Sequence, residues 1–234
     1  MDTVFTRTER VIGEEGIALL SKKTVAVFGL GGVGSYAAEA LVRVGVGHLI
    51  FIDKDEADVT NMNRQLVADL STLGKKKADI MTERAHRIRP DMDARGLSRF
   101  YSPGDGEWLA SLHADFIIDA IDDVPAKVSL AEECAKRHIP EISCMGTGNR
   151  LDPGQLCIED ISKTSLCPLA RKMRRLLKAR GIDHLPVVYS KESPVKPSGE
   201  GHAPGSLSFV PPVAGFLMAG FVVRALLKEL RPAD

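Results

Sequence analysis

The segment Gly29-Leu30-Gly31-Gly32-Val33-Gly34 constrains what this chain can fold into more than any other feature. It follows Lys23–Phe28 (KTVAVF), a near-continuous apolar run suited to a strand covered on both faces. It precedes Ser35–Val44 (SYAAEALVRV), whose small and apolar residues recur at helical spacing. Between a strand and a helix, Gly29, Gly31, Gly32 and Gly34 permit a tight turn. Backbone N–H groups can then approach phosphate oxygens, with the positive end of the helix behind them. A second strand, His48–Asp53, ends on Asp53, 19 residues beyond Gly34, where a carboxylate can accept from ribose hydroxyls. The pattern predicts nucleotide binding in a Rossmann-like α/β fold. NAD, FAD and ATP all remain open at this point.

Further strands are expected at Asp115–Ile121 and Ile139–Cys144, with the helix Ala126–Arg137 between them, and another at Ala94–Phe100. This alternation predicts a mostly parallel central sheet with helices on both faces over residues 1–150, the nucleotide-binding core. Beyond residue 150 the alternation fades into a C-terminal extension, 151–234. It holds strands at Leu156–Glu159 and Val187–Tyr189 and a basic helix Pro168–Arg180, opened by its proline and closed by Gly181. A flexible loop, Ser190–Ser206, carries His202 and leads to a buried terminal helix, Val213–Leu230. A length of 234 residues suits a single unit of this kind. Leu207–Leu227 is mostly apolar, but Pro211, Pro212 and Arg224 interrupt it. The longest unbroken run, Val213–Val223, has 11 residues, against about 20 needed to span a bilayer. No membrane partner is therefore expected.

Equal numbers of basic and acidic residues, 31 of each, argue against a whole-surface polyanion binder, and no DNA partner is expected. A local basic patch is still compatible with that balance. The four cysteines, Cys134, Cys144, Cys157 and Cys167, form no CxxC pair, which argues against a structural zinc site. Few cysteines and a charged N-terminal segment without a signal peptide's apolar stretch fit a reducing cytoplasm.

The segment Asp53–Gln65 (DKDEADVTNMNRQ) is dense with polar groups where a dehydrogenase begins an ordinary amphipathic helix. Lys77 follows Arg64 by 13 residues, and DAIDD (Asp119–Asp123) ends a buried strand at the sheet edge where ligands sit. Arg64 and Lys77 can draw charge onto β- and γ-phosphates, and Asp122 can hold magnesium, making pyrophosphate a leaving group. The plainer alternative makes Arg64 a surface ion-pair partner and Asp122 a helix cap ahead of Pro125.

Taken together, GLGGVG, DKDEADVTNMNRQ, GKKKAD and DAIDD resemble the ATP-binding signature of the ubiquitin-activating-like superfamily. Bacterial molybdopterin- and thiamine-synthesis adenylyltransferases belong to it. The resemblance implies that Asp53 binds ribose and that Asp55, Asn61, Arg64 and Lys77 complete the ATP site. Asp122 would coordinate Mg2+. Arg10, in TERVIG, matches an N-terminal arginine that reaches the γ-phosphate of the partner subunit in a homodimer. The implied reaction is adenylation of a carboxylate, with Arg10, Arg64, Lys77 and Asp122 as its catalytic set. A sulfur-relay partner protein is a further candidate brought in by the resemblance.

Four later segments, Gly146–Pro153, Asp160–Ile182, Val187–Pro197 and Pro204–Gly220, resemble the branch that dehydrates threonylcarbamoyladenosine in tRNA. That branch implies a tRNA bearing threonylcarbamoyladenosine as partner. Its threonyl carboxylate is adenylated, and its carbamoyl group then closes a ring and expels AMP. The residues add their own support, since Ile161–Gly199 carries nine basic and two acidic side chains. Within it Arg171, Arg174, Arg175 and Lys178 fall on one helix face, a stripe suited to a phosphate backbone. Adenylation of the C-terminus of a ubiquitin-like sulfur carrier is the alternative, disfavoured by the missing CxxC pairs. Some relatives use a cysteine after adenylation, which makes Cys144 a candidate nucleophile. A buried, inert thiol is the commoner role, and ring closure needs no enzyme nucleophile.

Overall fold

The apolar run before the glycine turn forms β1 (Thr24–Phe28), and from Val25 onward its side chains are fully enclosed. A strand covered on both faces must lie inside a sheet. β1 pairs in parallel with β2 (His48–Ile52) on one side and β4 (Phe116–Asp119) on the other. With β3 (Asp93–Leu97), β5 (Glu141–Cys144), β6 (Leu156–Asp160) and β7 (Pro186–Ser190), they make a seven-stranded sheet ordered β3-β2-β1-β4-β5-β7-β6. Every pairing is parallel except that of β6 with β7. The chain winds outward from β1 to β3, returns to β4, and then winds the other way. Strand order therefore reverses between β1 and β4, and a crevice opens beyond their C-terminal ends. The computed structural model describes residues 3–196 and 204–230.

Helices cover both faces, which is why the central strands read as unbroken apolar runs. Helix α1 (Thr6–Leu20) precedes the sheet. On one face α2 (Gly34–Val44), α3 (Lys77–Ile88) and α7 (Val210–Leu227) bury Val25, Val27, Leu49 and Phe51. On the other, α4 (Gly106–Ser111) and α5 (Val124–Arg137) bury Ala26, Phe28, Ile50 and Ile52. Phe28 meets Tyr101 and Trp108 edge-on, with ring centroids 5.7 and 6.1 Å apart. Each such pair contributes about 0.5–1.5 kcal/mol beyond area burial. Finally, α6 (Pro168–Lys178) packs Met173 and Leu177 against Val187 and Tyr189 of β7.

Three helices go beyond the sequence expectation. α1 bends at Gly13 (φ +76°) and buries only Gly16 and Leu20, so no long apolar stripe announces it. α3 (KADIMTERAHRI) is highly charged and buries a narrow line through Ala78, Ile80, Met81 and Ala85. α4 has six residues. The double proline also behaves differently from expectation. Pro211 and Pro212 occupy the first turn of α7, where their missing N–H groups cost nothing, and so open the helix rather than break it. Through Leu230 this helix has 21 residues and is long and apolar enough to cross a membrane by length and composition, because the helix extends on both sides of the 11-residue unbroken run. Half of that apolar window is buried, and Val210, Ala214, Met218 and Val222 are enclosed with α2 in one core cluster.

Candidate active site

A cavity of about 720 Å³ occupies the crevice beyond β1 and β4. Gly31, Gly32, Asp53, Asp55, Arg64, Lys77 and Asp122 line it together. Gly29 also lines it, with φ +85°, and a Cβ there would sit 2.6 Å from the Ala120 carbonyl oxygen. At Gly34 a Cβ would lie 1.8 Å from the Gly29 carbonyl oxygen, so this glycine closes the turn without lining the cavity. No side chain caps the first turn of α2, and its positive end meets the cavity at the glycine turn, an arrangement that favours an anion there.

Asp53 is nearly enclosed, and both its oxygens already hold backbone N–H groups. Oδ2 accepts from Leu30 at 2.6 Å and Oδ1 from Asp55 at 2.8 Å, clamping the glycine turn to the end of β2. Burial pushes its pKa upward against those two bonds. Two accepted bonds leave a carboxylate lone pairs for a hydroxyl. Lys77 begins α3 with its side chain only 7% exposed and its ammonium 3.7 Å from Asp55 Oδ2. A cation at a helix N-terminus opposes the helix dipole, so helix stability does not account for it. Asp55 also receives Lys54 at 2.7 Å. Burial acts to raise Asp55, but the ammonium groups of Lys54 and Lys77 outweigh it and hold its carboxyl below the usual range.

Arg64 is half-buried, and its Nη1 donates to the Thr60 carbonyl at 2.9 Å and Asn63 Oδ1 at 2.8 Å. Among the described residues it makes no ion pair, and it lines the cavity. Asn61 lies outside the cavity lining. Its side-chain carbonyl accepts from the Asp58 N–H at 3.3 Å, closing the short turn Val59–Asn61 that presents Arg64. Asp123, not Asp122, caps α5, accepting from the Ala126 N–H at 2.8 Å. Asp122 lines the cavity as an exposed carboxylate that accepts no hydrogen bond among the described residues. No cluster of three or more His, Cys, Asp or Glu suited to a metal occurs among those residues. The Asp122 carboxylate facing the cavity would suit a divalent cation held by one carboxylate, phosphate oxygens and water, the usual manner of magnesium beside a nucleotide.

The model describing the ThiF family matches residues 5–233. The chain belongs to the ThiF family. It is similar to the tRNA threonylcarbamoyladenosine dehydratase of Bacillus subtilis (strain 168), 44% identical over 97% of this chain and 95% of that protein. The enzyme of that name from Escherichia coli (strain K12) is 37% identical, over 84% of this chain and 76% of its own length. A crystal structure of the E. coli enzyme in complex with ATP superposes with a TM-score of 0.90. It shares 33% identity and covers 97% of this chain and 94% of that one.

In this ThiF-family chain, Arg10 is exposed on α1 and does not line the cavity. Cys144 does line it, but its thiol donates to the Met145 carbonyl at 3.3 Å and burial pushes its pKa to about 12. It is a protonated, packed thiol. On α6, Arg171, Arg175 and Lys178 are exposed, as is Lys172. Arg174 departs from the expected stripe. Its Nη1 turns inward to Thr164 Oγ1 at 2.7 Å and to the carbonyls of Thr164 and Ile161 at 2.9 and 3.3 Å. That arginine joins the helix to the preceding turn, and the free stripe reduces to three groups.

The far wall of the cavity is built from residues of the segments Gly146–Pro153, Val187–Pro197 and Pro204–Gly220, which had no individual roles assigned from the sequence. Arg150 is 3% exposed and donates to the Glu192 carbonyl, while the Glu192 carboxylate accepts the Leu151 and Asp152 N–H groups at 3.1 Å. Asn149, in the left-handed region at φ +57°, exchanges two hydrogen bonds with Gly205 at 2.8 and 2.7 Å. Its carbonyl accepts from the Val195 N–H at 2.8 Å. The described parts of the expected flexible loop thus pack against the cavity, with Pro194, Pro204 and Ser206 lining it. Its centre, including His202, lies outside the described residues.

Proposed function

We propose that this ThiF-family chain is an ATP-dependent tRNA threonylcarbamoyladenosine dehydratase. The observation that carries the reading is the convergence of the glycine turn, Asp53, Arg64, Lys77 and Asp122 on one cavity. The same cavity is also lined by Gly146–Arg150 and by Pro194, Pro204 and Ser206 of the C-terminal part. The likeness to an ATP-bound dehydratase over nearly the whole chain supports it.

In this reading the α2 N-terminus and glycine turn cradle the phosphates, and Asp53 accepts from ribose. Arg64 and Lys77 draw negative charge toward the β- and γ-phosphates. Asp122 would hold magnesium, which supplies charge neutralisation on the leaving pyrophosphate. An oxygen of the threonyl carboxylate attacks the α-phosphorus, the bond to the β-phosphate oxygen breaks, and pyrophosphate departs. The modification's carbamoyl group then attacks the acyl carbon, a proton is lost, and AMP leaves with the former carboxylate oxygen. The sum is ATP converted to AMP and pyrophosphate while the nucleoside loses one water.

The same proposal has the chain acting as a homodimer in the cytoplasm, with Arg10 extending to the partner's nucleotide. Its exposed position outside its own cavity is consistent with that role. Residues 1–150 hold the nucleotide and 151–234 form an extension of the same adenylating unit, a single unit being supported by β7 and β6 continuing the same sheet. Arg171, Arg175 and Lys178 would meet the tRNA backbone, and a sulfur-relay protein is a candidate partner.

The test uses tRNA bearing threonylcarbamoyladenosine, incubated with the chain, ATP and magnesium, followed by mass spectrometry of the nucleosides. A species lighter by one water, appearing only with ATP, is expected. Its absence beside an active control enzyme would overturn the proposal, and AMP formation that depends on a sulfur-carrier protein would favour the alternative.

A further inference from the structure

Asp119 ends β4, three residues before Asp122, and is fully enclosed. Its Oδ2 accepts from the Lys127 ammonium of α5 at 2.8 Å and from the Ser143 hydroxyl of β5 at 2.6 Å. Its Oδ1 accepts from the Ile121 N–H at 3.1 Å. Lys127 is equally enclosed. Removing two such charges from water is costly, and well-packed apolar residues commonly serve a fold as well or better. Stability alone is a weak reason for this pair.

What the pair supplies, and apolar residues would not, is a fixed acceptor beneath the loop that carries Asp122. On the other side of that loop, the Ala120 N–H donates to the Phe28 carbonyl at 2.8 Å. The Ala120 carbonyl lies so close to Gly29 that no Cβ would fit there. Residues 120–122 are therefore held between β1 and Asp119. Asp122, which accepts no hydrogen bond of its own among the described residues, takes its position from this backbone. Glu141 lies in the same buried cluster with both carboxyl oxygens unpaired. Burial first, and then the charge of Asp119, push its pKa well above the usual carboxylate range, so it stays neutral. Lys127 is left to Asp119.

We infer that Asp119, fixed by Lys127 and Ser143, is a positioning residue that aims the Asp122 carboxylate at the cation bound with the nucleotide. The inference rests on the assignment of Asp122 made above. Two double variants separate the acceptor from the charges. Asp119→Asn with Lys127→Met removes both charges but keeps an oxygen for the Ile121 N–H. Asp119→Leu with Lys127→Met removes that oxygen as well.

Three readouts are needed: AMP formation with modified tRNA, thermal melting, and the factor by which Mn2+ tightens ATP binding in calorimetry. The Asn/Met variant should lose no more than about tenfold in turnover and retain most of the manganese effect, while the Leu/Met variant melts similarly but loses about 10²-fold in kcat. It should also lose most of the manganese effect. Equal turnover and equal manganese dependence in the two variants would overturn the inference, as would losses in both that simply follow their melting temperatures. Ser143→Ala, which leaves every charge in place, covers the case in which neither double variant folds. It should lower kcat and weaken the manganese effect by about threefold to tenfold, and an unchanged manganese effect would count against Asp119. Asp122→Ala keeps the two assignments apart. An inactive Asp122→Ala beside a fully active Leu/Met variant defeats the positioning role alone, whereas a fully active Asp122→Ala defeats both.

Discussion

Lys77→Met asks whether the enclosed ammonium serves the fold or the nucleotide. On the folding side two terms oppose. Methionine removes a cation from the N-terminal end of α3, a relief of about 0.3–1 kcal/mol. It also removes an ion pair to Asp55. That carboxylate is half-exposed and keeps Lys54 at 2.7 Å, so the loss is about 0–1 kcal/mol. The net change lies within about 1 kcal/mol, which for a chain of this length moves Tm by about 2–4 °C at most. On the catalytic side, an ammonium about 4 Å from a phosphate charge is worth about 4 kcal/mol at an effective dielectric of about 20. Losing one preorganised electrostatic contact costs about 10²–10³ in rate, or about 2.7–4 kcal/mol. The two estimates agree. Single-turnover release of AMP from α-phosphate-labelled ATP, with saturating modified tRNA, should slow by about 10²–10³ while scanning calorimetry shows little change. Turnover within threefold of the parent would remove Lys77 from the phosphates. A fall in Tm well beyond the stated range would make its role structural.

Three further expectations follow from particular contacts. Arg171→Glu with Arg175→Glu, which leaves the inward Arg174 untouched, should weaken tRNA binding and flatten its dependence on salt by about one counterion per lost phosphate contact. Filter binding between low and high salt checks this, and unchanged affinity would exclude α6 from the tRNA surface. Cys144→Ser should keep AMP formation within about threefold, because the packed thiol's hydrogen bond to the Met145 carbonyl can be made by a hydroxyl. Complete loss of turnover in a folded variant would restore it as a nucleophile. For Glu39, burial raises the pKa, but Arg84 and Arg43 more than reverse it, leaving the carboxyl below its ordinary 4.5. The unfolded chain then binds the proton more readily. The stability from Glu39 is present above that value and is lost as pH falls through the lower folded one. The difference in Tm between the parent and Glu39→Gln should narrow from pH 6 to pH 3, and a constant difference would refute the linkage.

What was legible in the sequence depended on local pattern. The central strands announced themselves because both faces are covered, and the glycine turn and Asp53 because their spacing is set by one strand and one helix. Arg64, Lys77 and Asp122 carried recognisable sequence contexts, and they meet in one cavity. Features that arise only when distant segments meet were not legible. Asp119 acquires its role from Lys127 on α5 and Ser143 on β5, brought together by strand order. Arg174 sits on the helical stripe by arithmetic, yet the turn at Ile161–Thr164 captures it. α3 was hidden because a narrow buried line suffices for a helix lying over one sheet edge. Pro211 and Pro212 were ambiguous, since the same residues end a helix or begin one according to where the preceding chain comes from.

The most direct test of carboxylate capture at the α-phosphorus follows oxygen. Modified tRNA labelled with 18O in the threonyl carboxylate is incubated with the chain and ATP, and the released nucleotide is analysed by mass spectrometry. One labelled oxygen should appear in AMP and none in pyrophosphate. Unlabelled AMP, or label recovered in inorganic phosphate with ADP as the product, would mean that the carboxylate never bonded to the α-phosphorus.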